Sequence, residues 1–154
     1  MDTLLSRGPV ALNSIVMPTV SVVIPTLNEA RNLPYVLPRI PDWVREIVIV
    51  DGLSTDNTVS VARALSPKVR VVMERARGKG AALRRGFAAA MGDIIVAMDA
   101  DGSTRPEEIG AMVEALVAGA DFVAGSRFAS TGAGSEDITE VRKLGNWALL
   151  TLVK

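Results

Sequence analysis

The sequence contains no cysteine and no histidine. Without cysteine there is no disulfide framework and no thiolate zinc site; without histidine the usual neutral-pH base is missing, so any general base is a carboxylate or belongs to another molecule. Basic and acidic residues number 17 each. This balance removes a global electrostatic case for nucleic acid, though it leaves room for a local basic cluster. Long hydrophobic runs are also absent: none approaches the roughly 18 residues of a membrane span, and the N-terminus lacks the contiguous apolar core of a signal peptide. These absences predict a soluble, cytoplasmic protein.

Aromatic residues are few, at 4%, while 49% of the 154 residues are hydrophobic and Ala, Val and Gly are abundant. Such a composition suits helices packed closely on a sheet, and the length suits one domain with a sizeable core. Met1 to Thr19, with Gly8, Pro9 and Pro18 scattered through it, reads as a flexible leader without chemistry. The domain is therefore expected over 20–154.

Five short β-rich segments alternate with helical patterns: Val20 to Ile24, Glu46 to Val50, Val69 to Met73, Asp93 to Met98 and Ala120 to Ala124. They are mostly continuous apolar runs, as expected of strands covered on both faces. Helices are predicted around Glu29 to Leu37, Asn57 to Leu65, Ala81 to Met91 and Pro106 to Ala118, with Asp56 capping the second and Pro106 in the first turn of the fourth. Leu83, Phe87 and Ala90 fall on one face of the third; Ile109, Val113, Leu116 and Val117 fall on one face of the fourth. The alternation predicts a three-layer α/β/α domain with a mostly parallel sheet, in which ligands bind beyond the carboxyl ends of the strands.

Three polar clusters converge on that rim. Asp99-Ala100-Asp101 ends the fourth strand, and in extended chain residues i and i+2 lie on the same side roughly 6 to 7 Å apart. Two carboxylates so placed read as a site for Mg²⁺ or Mn²⁺ and a substrate's phosphates, because hard cations take oxygen ligands; the alternative is a solvated Asp-Gly turn. Gly78-Lys79-Gly80 opens a helix after Arg75 and Arg77. There the helix N-terminus and the lysine suit a phosphate, although the motif taken alone favours a solvated turn, and the sequence is not a Walker A loop. No Gly-x-Gly-x-x-Gly follows the first strand, which argues against a dinucleotide-binding dehydrogenase. Asp51, at the end of the second strand, is placed to accept hydrogen bonds from a nucleobase or ribose, and Asp56 to cap. Arg127, in Gly125-Ser126-Arg127, reads as a diphosphate contact or a surface cation.

Taken in order, Val22-Val23-Ile24-Pro25-Thr26-Leu27-Asn28-Glu29, Ile49-Val50-Asp51 with Ser54-Thr55-Asp56, Arg77-Gly78-Lys79-Gly80, Gly92-Asp93-Ile94 through Asp101, and Gly125-Ser126-Arg127 resemble the inverting family 2 glycosyltransferases with the GT-A fold. Within that family the chain is similar to the branch of the dolichol-phosphate mannose synthases. The resemblance implies a nucleotide-diphosphate-sugar donor across the rim. Pro25, Leu27 and Glu29 would line the base and ribose pocket, Asp51 would contact the base, and Lys79 would lie near the nucleotide. Asp99, Ala100 and Asp101 would flank the ribose and metal, with both acids as metal ligands, and Arg127 would hold the diphosphate or the acceptor side. The acceptor would be a hydroxyl or a phosphate, a lipid phosphate or a small molecule.

Two departures qualify the resemblance. Gly52 follows Asp51 where many relatives have a second acid, and relatives generally continue beyond a position like Lys154 into the acceptor region, so the chain reads as the donor-binding part. Glu136 and Asp137, in a loop over Ala129 to Thr139, are the candidate bases. Glu140 to Lys154 is predicted helical, with Val141, Leu144, Ala148 and Leu152 on one stripe. That stripe suggests a homo-oligomer or peripheral contact with the inner face of a membrane. Two rivals remain: a non-catalytic nucleotide-sugar-binding module completed by a partner, and a receiver-type signalling domain with an acidic pocket and a lysine.

Overall fold

The computed structural model describes residues 17–125. By its contacts the chain divides after Thr104 into two compact units. The first holds a parallel four-stranded sheet: β1 (Val20–Thr26), β2 (Glu46–Asp51), β3 (Val69–Met73) and β4 (Ile94–Ala97). Their spatial order is β3-β2-β1-β4. Runs of Val and Ile make these strands; every residue of β2 is buried, as a central parallel strand covered on both faces requires.

Three helices accompany the sheet: α1 (Leu33–Val36), continued by a tighter turn over Leu37–Arg39, α2 (Thr58–Leu65) and α3 (Lys79–Ala89). Crossovers between parallel strands are right-handed. The steps from β1 to β2 to β3 run one way across the sheet and the step from β3 to β4 runs back, so α1 and α2 cover one face and α3 the other. Val23, Val48 and Val50 point toward α3 and form a core with its Ala82, flanked by Val72, Leu83, Ala89 and Ala90. Each fully buried Val or Ile in this layer contributes about 1.5–3 kcal/mol. The reversal creates a switch point between β1 and β4, where open α/β sheets bind ligands beyond the strands' carboxyl ends. The same order excludes the receiver-type fold, which would put β1 between β2 and β3.

The second unit contributes a short turn over Pro106–Glu108 and α4 (Ile109–Val117) to the described residues. Ile109 and Val113 are buried as expected, whereas Val117 is exposed. Ala120 to Ala124 is not a strand. Its residues find no ladder partner among the described residues, and Phe122 is 53% exposed. Phe87 is also largely outside the core: the face of α3 that meets the sheet carries Ala82 and Gly86, because only small residues fit there.

At the amino end of the sheet a buried carboxylate ties three elements together. Glu46 accepts hydrogen bonds from Ser21 Oγ (2.7 Å), the Met91 amide (2.6 Å) and Arg70 Nη2 (2.9 Å). Arg70 also donates to the Ala89 carbonyl at the end of α3. Burial pushes the Glu46 carboxyl up, but the hydrogen bonds from Ser21, Met91 and Arg70, with the Arg70 charge, outweigh it and hold it below its ordinary value. A carboxyl lowered in the folded state stabilises fully above its unfolded pKa, and that contribution disappears as pH falls through the folded value. Glu46→Ala is expected to cost about 2 kcal/mol at neutral pH, less than a fully buried pair because Arg70 keeps access to water. Urea midpoints measured at pH 7 and in the acid range should show the deficit shrinking toward low pH; a constant deficit would contradict the assignment.

Candidate functional site

Beyond the carboxyl ends of the strands lies an open cleft of about 740 Å³. Pro25, Thr26, Leu27 and Glu29 after β1, Gly52 and Leu53 after β2, Glu74 to Lys79 after β3, and Asp99, Ala100 and Asp101 after β4 line it, with Ala82 of α3 at its base. The cleft thus brings together Pro25, Leu27, Glu29, Lys79, Asp99, Ala100 and Asp101, seven of the residues named from the sequence. Arg127, Glu136 and Asp137, with the stripe beginning at Val141, lie outside the described residues.

Asp51 has a different position. It is fully buried beneath the rim, and its carboxylate accepts from the Ser54 amide (2.9 Å), Ser54 Oγ (2.6 Å) and Thr26 Oγ1 (3.4 Å). These bonds shape the turn that presents Gly52 and Leu53 to the cleft. Asn28, in the left-handed region at φ 59°, accepts from the Thr55 amide, while its own amide donates to Ser54 Oγ (2.9 Å). Asp56 accepts from the Thr58 amide (2.9 Å) at the start of α2 and from the Ala30 amide (3.2 Å). The loops after β1 and β2 are therefore laced into one wall.

Leu53 and Glu74 are wall residues that sequence reasoning missed; of the two, Leu53 carries the clearer conformational signature. It has φ 66° and is 49% exposed, and a leucine held in the left-handed region is strained by roughly 1–2 kcal/mol. The signal available in the sequence was a large apolar residue inside a turn otherwise made of Asp, Gly, Ser and Thr. With Pro25 and Leu27 it gives the cleft an apolar side. Leu53→Gly is expected to raise stability by up to about 1 kcal/mol, as the strain is relieved, and to weaken binding of a flat ring there. Thermal unfolding and nucleoside titration of the same sample separate the two effects; loss of stability would show that Leu53 is unstrained.

The opposite wall is charged. Gly78, at φ 104°, turns the chain into α3 in a conformation that suits glycine. Lys79 opens the helix, and Arg75 and Arg77 are exposed just before it. Lys79 Nζ pairs with Asp99 Oδ1, both residues lining the cleft. Asp99 to Asp101 lie past the end of β4, with Ala100 and Asp101 in a turn: Ala100 is buried, and Asp101 Oδ1 accepts from the Ser103 amide (2.9 Å). Both acids nevertheless line the cleft.

Among the described residues no three carboxylates converge on one point. The cleft instead offers four carboxylates, Glu29, Glu74 and the close pair Asp99 and Asp101, beside the three cations Arg75, Arg77 and Lys79. One or two carboxylates completed by phosphate oxygens is how Mg²⁺ and similar hard cations are held, so these residues fit a divalent cation that arrives with a diphosphate.

The family model for glycosyl transferase family 2 matches residues 21–147. A dolichol-phosphate mannosyltransferase of Pyrococcus furiosus is 43% identical over 120 residues, covering 73% of this chain and 34% of that protein. A polyprenol monophosphomannose synthase of Mycolicibacterium smegmatis is 40% identical over 126 residues, covering 72% and 46%. The chain thus spans about a third to a half of the length of these relatives. Among solved structures, a mannosyltransferase from Pyrobaculum calidifontis in complex with GDP-Man and Mn²⁺ superposes with a TM-score of 0.51 at 38% identity, over 56% of this chain and 28% of that one. Glucosyl-3-phosphoglycerate synthase from Mycobacterium tuberculosis in complex with UDP gives a TM-score of 0.56 at 34% identity, over 66% and 41%.

Proposed function

Because this chain belongs to glycosyl transferase family 2, we propose that its cleft binds a nucleotide-diphosphate-sugar and serves inverting transfer of the sugar to a hydroxyl or phosphate acceptor. One observation carries the reading: the Asp99 to Asp101 acids and the Arg75 to Lys79 cations line a single cleft at the switch point of a parallel sheet, with Lys79 in contact with Asp99. Solved relatives with GDP-Man, UDP and Mn²⁺ support it.

The apolar side formed by Pro25, Leu27 and Leu53 receives the base, with Asp51 acting from below by holding the Gly52–Leu53 turn. Glu29 lies near the ribose. Asp101, with Asp99, holds Mg²⁺ or Mn²⁺, which when bound neutralises charge developing on the departing nucleoside diphosphate. Lys79, with Arg75 and Arg77, adds positive charge on the other side of the diphosphate. An acceptor oxygen attacks the anomeric carbon from the face opposite the leaving group, so configuration inverts; the acceptor's proton leaves to a carboxylate, for which Glu136 and Asp137 are the candidates in this chain. Arg127 contacts the diphosphate or the acceptor. The names of the Pyrococcus and Mycolicibacterium relatives point to a polyprenyl phosphate as acceptor. No helix among the described residues is long and apolar enough to cross a membrane; such a lipid acceptor would be met at a membrane surface, on the cytoplasmic side in this reading.

Incubating the chain with GDP-mannose or UDP-glucose, Mn²⁺ and a polyprenyl phosphate, then analysing the lipid fraction by mass spectrometry, tests the transfer. A sugar-lipid product with inverted anomeric configuration supports the reading. Tight nucleotide binding without product, even when the full-length protein is supplied, would reduce the chain to a nucleotide-sugar-binding module.

A further inference from the structure

Asp99 already has a cation. The Lys79 ammonium contacts Asp99 Oδ1, joining the first residue of α3 to the end of β4. The side chain of Lys79 is 59% exposed and that of Asp99 26%. A pair this open to water contributes little to stability, so breaking it is easy. It does, however, put a positive charge on one of the two carboxylates proposed to hold the divalent cation. A compact ammonium on a flexible four-carbon stem leaves such a position readily and finds another anion within reach.

We propose that Lys79 is a displaceable placeholder for the divalent cation. This inference rests on the donor-site reading above and adds a device to it. In the free protein Lys79 neutralises Asp99 and opposes entry of a bare divalent cation. When the cation arrives together with a diphosphate, Asp99 exchanges its partner and the released ammonium turns to the phosphate oxygens within the cleft that the same short segment, Arg75 to Lys79, lines. One side chain then works against metal alone and in favour of metal with nucleotide. The two ligands become coupled, each raising the affinity of the other by the same factor. Lys79 is thus a positioning residue whose effect changes sign with the ligand present.

Lys79→Met keeps the stem and removes the charge, and the exposure of Lys79 makes it compatible with folding. Free Mn²⁺ is counted by electron paramagnetic resonance in a titration of the full chain, first with Mn²⁺ alone and then with GDP or UDP. The variant is expected to bind Mn²⁺ alone about fivefold more tightly, the scale of a released exposed ion pair. In the presence of Mn²⁺ it should bind nucleoside diphosphate about tenfold more weakly, the scale of one lost charge-assisted contact. Lys79→Arg should retain wild-type affinity for Mn²⁺ alone, and adding Asp99→Asn to Lys79→Met should cancel the gain. Unchanged or weaker binding of Mn²⁺ alone by Lys79→Met, with diphosphate binding otherwise present, overturns the placeholder and leaves the donor site standing. Failure of the wild-type chain to bind either diphosphate with Mn²⁺ overturns both.

Discussion

Asp101→Ala is expected to lower nucleoside diphosphate affinity in Mn²⁺ by about 100-fold or more, the scale on which removing one partner from a desolvated charge pair acts. The diphosphate brings two to three negative charges into a cleft whose three cations include one already paired with Asp99. Without Asp101 the proposed pair loses one of its two carboxylates, and a divalent cation that would compensate the diphosphate's charge would be held less tightly. Asp101→Asn should be nearly as damaging, since an amide oxygen keeps the shape and loses the charge. Asp101 is exposed and forms a local turn through the Ser103 amide, so both variants should melt close to the wild-type temperature when no ligand is present. Calorimetric titration with and without Mn²⁺ checks this. Undiminished metal-dependent binding in both variants would remove Asp101 from the ligand set.

Gly86→Ala is expected to destabilise the fold by about 2 kcal/mol, and Gly86→Leu to prevent stable folding, because overpacking a filled interface costs about 1–3 kcal/mol per modest enlargement. A Cβ at Gly86 would lie 2.9 Å from Val50 Cγ2 and closer still to Val23 Cγ1, in the centre of the layer that joins α3 to the sheet. Neither valine can withdraw, as both are fully buried in central strands. Gly80→Ala is the matched control in the same helix. An added Cβ there meets nothing within 4 Å, so the usual helical preference for alanine should stabilise by about half a kcal/mol. Opposite signs for one chemical change at two positions of α3 would establish that close approach, and not helix propensity, sets the cost at Gly86. Equal signs in denaturant midpoints would refute it.

Much of the architecture was legible because buried parallel strands write themselves as runs of Val and Ile. Val20 to Ile24, Glu46 to Val50, Val69 to Met73 and the core of Asp93 to Met98 are all strands in the structure. Ala120 to Ala124, an apolar stretch interrupted by Asp121, is not one; apolar composition states a tendency, and a ladder needs a neighbour. Phe87 misled for a related reason. Helical periodicity identifies a face but not how near that face comes to the sheet, and near contact at Gly86 leaves room for Ala82 and not for an aromatic ring.

At the site, chain order placed the acids and Gly78-Lys79 on one rim because strand ends in a parallel sheet must share a side. What order could not convey is how the polar groups bond to one another. Asp51, read from the sequence as a contact to the base, is buried in the structure and accepts from Ser54 and Thr26. Leu53 looks like filler and is presented to the cleft by a positive φ. The Lys79–Asp99 pair joins residues 20 positions apart, and only the return of the chain from β3 to β4 across the sheet brings them together.

Mn²⁺ is paramagnetic and broadens the amide resonances of nearby residues, so it reports where the cation and nucleotide lie without requiring turnover. With GDP or UDP present, substoichiometric Mn²⁺ should broaden Lys79, Asp99, Ala100, Asp101 and Gly102 first and Leu27 to Glu29 less, while Val69 to Val71 at the far end of β3 stay sharp. The same Mn²⁺ without nucleotide should have much less effect on those residues. Broadening centred away from the β4 end, or indifferent to the presence of the nucleoside diphosphate, would contradict a donor site in this cleft.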